Sequence, residues 1–189
     1  MATANNKPDF RTVTPLARLS YPHLSKPADP MNPGDKPKYQ CELIFEKGTD
    51  IKALRQLATD CARNKWGDKM PKNLKTPFRS GDTDREDKDG YEGATFISAR
   101  STDKPGIIIG PNREPCLDES EVYGGCYVRA SVTCFAWETK NKSGAVVSQG
   151  VSFALNNIWK VKDGEPFGNR RSAEDDFADL DSDMAESLL

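Results

Sequence analysis

Gly125-Cys126-Tyr127-Val128-Arg129-Ala130-Ser131-Val132-Thr133-Cys134-Phe135-Ala136-Trp137-Glu138 alternates with period two along its whole length. Cys126, Val128, Ala130, Val132, Cys134 and Ala136 fall on one side. Tyr127, Arg129, Ser131, Thr133, Phe135 and Trp137 fall on the other. A strand sends successive side chains to opposite faces, so the stretch reads as one long strand with two unlike surfaces. The even side is small and apolar and suits a tightly packed interior. The odd side mixes aromatic rings with an arginine and two hydroxyls, none of which needs burial. Flat rings beside a cation on an open sheet face match a single strand of nucleic acid, whose bases stack on rings and whose phosphates take the cation. A half-buried strand with its rings beneath another layer would alternate in the same way, because aromatics are common in strands.

The rest of the chain bears on that choice. At 189 residues it is long enough for one domain with a decorated loop or a tail, and for a core that needs no staples. Charged residues make up 30% of it, and no apolar run approaches the roughly 20 residues of a membrane helix. The first ten residues lack the apolar centre of a signal peptide. The five cysteines form no Cys-x-x-Cys and fit a reduced cytosolic compartment. Cys126 and Cys134 read as small core residues, and a single histidine, His23, argues against a zinc site.

The net charge of −2 conceals a division. Residues 172–189 carry seven acids and no base, so all 27 Lys and Arg lie in 1–171 against 22 acids. A body of +5 joined to a tail of −7 points to nucleic acid as partner of the body. The tail is also punctuated by Phe177, Leu180, Met184, Leu188 and Leu189, as in a segment that docks on another protein.

Along the chain, residues 1–9 read as disordered. Phe10 to Tyr21 reads as an edge or bulged strand because of Pro15. Pro22 to Pro37, with five prolines, reads as a loop. Lys38 to Glu46 alternates as a strand with Tyr39, Cys41, Leu43 and Phe45 on the core side. Thr49 to Trp66 is the clearest helix, with Thr49 as N-cap, a stripe of Ile51, Leu54, Leu57, Ala58 and Cys61, and Gly67 as the stop. From Arg63 to Arg79 six bases surround Trp66 and Phe78, a second basic-aromatic cluster. Ser80 to Gly93 is acidic. Its Asp82, Asp84 and Glu86 have the spacing that opens a calcium loop, without the glycine at the sixth position or an acid at the twelfth, so it reads as an exposed loop. Ala94 to Ser101 is a strand whose Phe96, Ser98 and Arg100 repeat the aromatic–hydroxyl–cation pattern. Gly106 to Gly110 is a short buried strand. Ala145 to Val161 returns as the hairpin partner of the long strand, with Asn156-Asn157 marking a bulge.

Gly125-Cys-Tyr-Val-Arg-Ala-Ser-Val132, then Leu155-Asn-Asn-Ile-Trp-Lys-Val-Lys-Asp-Gly-Glu165, then Glu174-Asp-Asp-Phe177 resemble the single-stranded DNA-binding proteins of tailed bacteriophages. The resemblance runs from about Phe10 to the acidic end and is strongest over residues 94–177. It implies an OB-fold, sequence-independent binding of single-stranded DNA in phage replication or recombination, and an acidic tail that contacts replication partners. Two features depart from the pattern. The helix follows the second strand, whereas the usual OB helix follows the third, and the tail ends Leu188-Leu189 where some relatives end in an aromatic residue.

The expected fold is therefore mainly β: an OB-fold-like, five- to six-stranded antiparallel barrel with one helix over residues 10–171, a flexible insert at about 67–93, and a disordered acidic tail over 172–189. The expected nucleic-acid contacts are Tyr127, Arg129, Phe135, Trp137, Phe96, Arg100, Lys72, Lys75, Phe78, Arg79, Trp159 and Lys160. The expected partner-binding tail residues are Asp175, Asp176, Phe177, Asp179, Leu180, Asp181, Asp183, Leu188 and Leu189. No cofactor, metal, catalytic residue or membrane is expected. The setting is the cytoplasm of a host cell, and a homo-oligomer is left open. The competing readings are a metal-dependent nucleic-acid enzyme built on the acidic loop and a virion or assembly protein that binds no DNA.

Overall fold

The computed structural model describes residues 8–30 and 32–168. In chain order the elements are β1 (Arg11–Val13), β2 (Ala17–Ala28), β3 (Lys38–Phe45), α1 (Lys52–Trp66), β4 (Arg79–Ser80), the single-turn α2 (Gly81–Asp84), β5 (Thr95–Ser101), β6 (Gly106–Ile109), β7 (Glu114–Pro115), β8 (Tyr127–Lys140) and β9 (Val146–Lys162). The long alternating stretch is β8, and it pairs with β9 from Tyr127↔Lys162 to Lys140↔Val146. Asn141 sets the hairpin turn: its Oδ1 accepts from the backbone N–H of Ser143 and Ala145 and from the Ser143 hydroxyl.

Five strands close on themselves. β2 pairs with β3, β3 with β5, β5 with β9, β9 with β8, and β8 returns to β2. This circuit is the five-stranded barrel of an OB-type fold. It is not wholly antiparallel as expected, since β5 runs parallel to β9. A parallel pair needs a long crossover, and the chain between Ser101 and Val146 supplies it. Short strands extend the sheet outside the circuit, with β1 on β8, β4 on β5, and β6 on β9 carrying β7.

The inward faces make the core. Cys126, Val128, Ala130, Val132 and Cys134 are buried, as their period predicts, with Cys41, Leu43, Phe45, Ile97, Ala99, Phe153 and Leu155 opposite. Burial pushes the Cys41 thiol up to about 12 and raises that of Cys134, so both behave as small apolar residues. Helix α1 lies against β8 and β9 and buries Leu54, Ala58, Cys61 and Ala62. It begins later than the Thr49 cap implied. Asp50 accepts from the Lys52 N–H at 2.9 Å, which satisfies a free N–H of the first turn. Gly67, at φ 56°, ends the helix as expected.

Two further expectations are corrected. Pro22 to Pro37 is not all loop, because β2 continues to Ala28. Its pairing with β3 shifts register between Ser20 and His23 and again between His23 and Ala28. Pro22 and Pro27 fall in those gaps, where the ladder asks no N–H of them. The insert expected to be a flexible loop is tied down as well. The Gly81 N–H donates to the Ala94 carbonyl at 2.9 Å, the Gly93 N–H donates to Asp82 Oδ1 at 2.7 Å, and Arg85 and Tyr91 reach Glu42 on β3.

Candidate nucleic-acid interface

The outward side chains of β8 and β9 form one surface. The cross-strand pairs Trp137↔Gly150, Phe135↔Ser152, Thr133↔Ala154, Ser131↔Asn157 and Arg129↔Trp159 run along it, with the register shifting between Ser131 and Val132, at Asn156. The bulge predicted at Asn156-Asn157 is thus present. Phe135 is 44% exposed and Trp137 is half-buried, its Nε1 donating to Ser152 Oγ at 2.9 Å. Between the aromatic ends the surface is polar, and the Asn156 amide donates to Thr133 Oγ1 at 2.9 Å. From Trp137 to Arg129 the strand covers roughly 27 Å at about 3.4 Å per residue.

The basic loop after α1 reaches this surface at the Trp137 end. The Lys75 N–H donates to the Gln149 carbonyl and its own carbonyl accepts from the Val151 N–H, so its backbone lies beside Gly150. A Cβ on Gly150 would stand 2.7 Å from the Lys75 carbonyl oxygen and 2.9 Å from the Trp137 ring, so only glycine lets the loop come this close. The side chains of Lys72 and Lys75 are exposed. Two clusters far apart in sequence are therefore joined in space.

At the other end, Arg129 is exposed and holds the Thr14 carbonyl at 3.3 Å. Trp159 donates Nε1 to the Gly110 carbonyl at 2.9 Å, with the Arg113 guanidinium 4.8 Å from the ring centroid. Tyr127 is more committed. Its ring lies between Arg18 at 5.4 Å and Lys162 at 4.4 Å, and its hydroxyl donates to Glu46. Arg100 is exposed at the border of this surface, paired with Ala154 of β9 on one side and with Gln40 of β3 on the other.

Four expected contact residues have other roles. Phe96 is 0% exposed. The Tyr91 ring stands edge-on to it at 5.1 Å, and Ile44 and Ala94 complete a second small core on the outside of the barrel. Arg79 belongs to the same covered region, over the Phe96 ring at 4.8 Å and ion-paired with Asp84 at 3.5 Å. Phe78 is half-buried, edge-on to Phe153 at 5.9 Å beneath the Arg55 guanidinium. Lys160 is 6% exposed and ion-paired with Asp163 at 2.8 Å and Glu121 at 3.0 Å. Burial pulls its pKa down, but the two carboxylates outweigh that and hold it above the usual value. A lysine already neutralised by two acids is poorly placed to take a phosphate. The tail residues Asp175, Asp176, Phe177, Asp179, Leu180, Asp181, Asp183, Leu188 and Leu189 lie outside the described residues.

Sequence reasoning passed over Lys162, Arg113, Ile108 and Val13. Lys162 reaches the Tyr127 side through a second register shift, between the Val128↔Lys160 and Tyr127↔Lys162 pairs, which period two alone would not reveal. Arg113 and Ile108 become neighbours of Trp159 only through the β6–β9 pairing, which no local pattern announces. Among the described residues no group of acids, cysteines or histidine is arranged to hold a metal ion, and no helix is long and apolar enough to cross a membrane.

Protein p50 of Acyrthosiphon pisum secondary endosymbiont phage 1 is 28% identical over 183 residues, covering 91% of this chain and 95% of that one. The single-stranded DNA-binding protein of bacteriophage Enc34, solved in complex with ssDNA, superposes with a TM-score of 0.68 at 29% identity over 84% of this chain and 89% of the other. The single-stranded DNA-binding protein gp2.5 of bacteriophage T7 shares the fold at a TM-score of 0.56 and 14% identity, over 89% of this chain and 93% of that one. The family model described as the ssDNA-binding protein of Enterobacter phage Enc34 matches residues 10–189, and the chain belongs to that family.

Proposed function

We propose that the protein binds single-stranded DNA without regard to sequence and protects it during phage replication or recombination, in the cytoplasm of the host cell. The observation that carries this reading is the exposed β8–β9 surface, with Phe135 and Trp137 beside Lys75 at one end and Trp159 beside Arg129 at the other. Rings take bases of any identity because every base has a π-face, at about 1–3 kcal/mol per stacked base. Lys72, Lys75, Arg100 and Arg129 take phosphates, which makes the binding salt-dependent through counterion release. No step breaks a bond, so the protein acts as a binder and not as an enzyme.

The acidic tail completes the proposal. Its seven acids compete with DNA for the basic body at high local concentration, and Phe177, Leu180 and the terminal leucines anchor a replication or recombination protein. Deleting residues 172–189 should tighten oligo-dT binding, most at low salt, where screening is weakest. Equal affinities of full-length and truncated protein at both salts would leave the tail without a competing role. The function itself is tested by oligo-dT titration with and without magnesium. Binding that needs no metal and leaves the oligonucleotide intact is expected. Cleavage in magnesium would favour an enzyme, and absence of binding would favour a structural protein.

A further inference from the structure

The groove at the Trp159 end of the β8–β9 surface has the make-up of a seat for one nucleotide. Arg129 on β8, Trp159 on β9 and Ile108 on β6 are register partners in turn, so their side chains form a row across three adjacent strands on the outside of the sheet. Ile107 and Ile109 pack on the core, which leaves Ile108 on the outer side. Val13 of β1, 59% exposed, walls the groove, whose volume is about 550 Å³. That is within the range of sites for small organic molecules.

Three features make it a built site and not an incidental patch. The Trp159 ring is fixed by its bond to the Gly110 carbonyl. The Asn157 amide is fixed too: its Oδ1 accepts from the Gly106 N–H at 3.1 Å, and a Cβ at residue 106 would stand 2.8 Å from that oxygen. This leaves the Asn157 NH₂ to donate outward. Third, Arg113 is held over Trp159 from a left-handed backbone position, φ 58°, in the turn closed by the Arg113 N–H on the Gly110 carbonyl. A non-glycine residue pays for that conformation, and such outliers cluster at binding sites. Among the described residues neither Arg113 nor Arg129 has a carboxylate partner.

We infer that this groove seats one base of the bound strand on Trp159 and Ile108, with Arg113 and Arg129 taking the flanking phosphates and the Asn157 amide donating to the base edge. The inference rests on the single-stranded DNA reading above and names a subsite within it. An apolar floor between two unpaired cations matches an aromatic base between two phosphates. A protein segment would require acids at both flanks of an apolar residue, as Asp179-Leu180-Asp181 of the tail has, so the tail competes with the DNA base for this same groove. Every base presents an acceptor on its edge, so a donor-only amide does not select among them. Arg113 is the moving part: with no carboxylate to hold it, the guanidinium swings from the ring to a phosphate as the base takes its place.

The test uses the full chain carrying Trp66→Phe and Trp137→Phe, so that Trp159 is the single fluorophore, with affinity read separately from the anisotropy of a labelled oligo-dT. Oligo-dT should quench Trp159, and an abasic strand of equal length should not. Arg113→Gly removes the cation and relieves the backbone. It should lower affinity about threefold to tenfold and the salt slope by about 0.7, with the thermal midpoint unchanged or raised. Ile108→Asp, at an outward position, should abolish the quench. Trp159 unquenched by oligo-dT that binds by anisotropy, or an Arg113→Gly protein with unaltered affinity and slope, would overturn the subsite and leave the function standing. Absence of any anisotropy change with the unsubstituted protein would overturn both.

Discussion

The outer faces of β5 and β8 carry the same kind of pattern and have opposite fates. On β5, Phe96, Ser98 and Arg100 alternate outward, and on β8 so do Thr133, Phe135 and Trp137. Yet Phe96 is fully buried and Phe135 is 44% exposed. The difference comes from the insert that follows β4. Arg85 forks both carboxylate oxygens of Glu42, the Tyr91 hydroxyl donates to the same carboxylate, and the Tyr91 ring closes over Phe96. Burial first, and then the bond to Glu42, raise the Tyr91 pKa, which keeps the phenol a donor throughout the ordinary pH range. Among the described residues nothing comparable lies over the centre of β8, where the short β1 pairs along the strand edge and leaves Phe135 open. Period two identifies the two faces of a strand; a distant segment decides whether the outer one stays open.

The largest expected effect separates the two faces by stability. Phe96→Ala should destabilise the protein by about 3–5 kcal/mol in chemical denaturation, as for other buried phenylalanines. Phe135→Ala should leave the denaturation midpoint nearly in place. Glu42→Gln should have an intermediate effect of about 1–3 kcal/mol, because Arg85 keeps partial access to water while Tyr91 does not. If Phe96→Ala proved as mild as Phe135→Ala, the covered face would not be a core.

On the open face the effect moves from stability to binding. Trp137→Ala and Phe135→Ala should each weaken oligo-dT binding by about 1–3 kcal/mol with little thermal change. Tyr127→Ala should affect both, since its ring also carries Arg18 and Lys162. Smaller still are the charge effects. Arg129→Gln and Lys75→Gln should each lower the salt slope by about 0.7, whereas Lys160→Gln should leave the slope alone and lower stability instead. A slope change at Lys160 equal to that at Arg129 would return Lys160 to the interface.

The smallest effect is a pH dependence. The bond from Lys160, followed by that from Tyr123, lowers the Asp163 pKa. A depressed folded pKa contributes stability that is present above the unfolded value and lost as pH falls through the folded one. Denaturation midpoints should therefore fall below about pH 4, and Asp163→Asn should flatten that acid limb slightly, because Asp163 is largely exposed.

Much of this molecule can be read from its residues, and the unread parts share a cause. The long strand, its apolar face, the bulge at Asn156-Asn157 and the Gly67 stop follow from local patterns, and each is present. The burial of Phe96, the occupation of Lys160 and the groove at Ile108 depend on partners remote in sequence. Glu42 was the clue to the first. A carboxylate between Cys41 and Leu43, in a strand where Ile44 is also apolar, needs a cation over it, and Arg85 supplies one. Lys160 offered no such signal, because its acids sit at 121 and 163, and only the folded crossover brings the first beside it. The continuation of β2 past Pro22 was hidden because a proline-rich stretch and a bulged strand look alike until the register is known.

The central claim is that single-stranded DNA lies on the β8–β9 face and not on the covered face of β3 and β5. Titrating isotope-labelled protein with oligo-dT and following backbone amide shifts tests it directly. Large shifts are predicted along 127–137 and 150–162 and at Lys75, with Glu42, Ile44, Tyr91 and Phe96 unmoved. Shifts concentrated on β3, β5 and the 81–93 insert, with β8 and β9 silent, would contradict it.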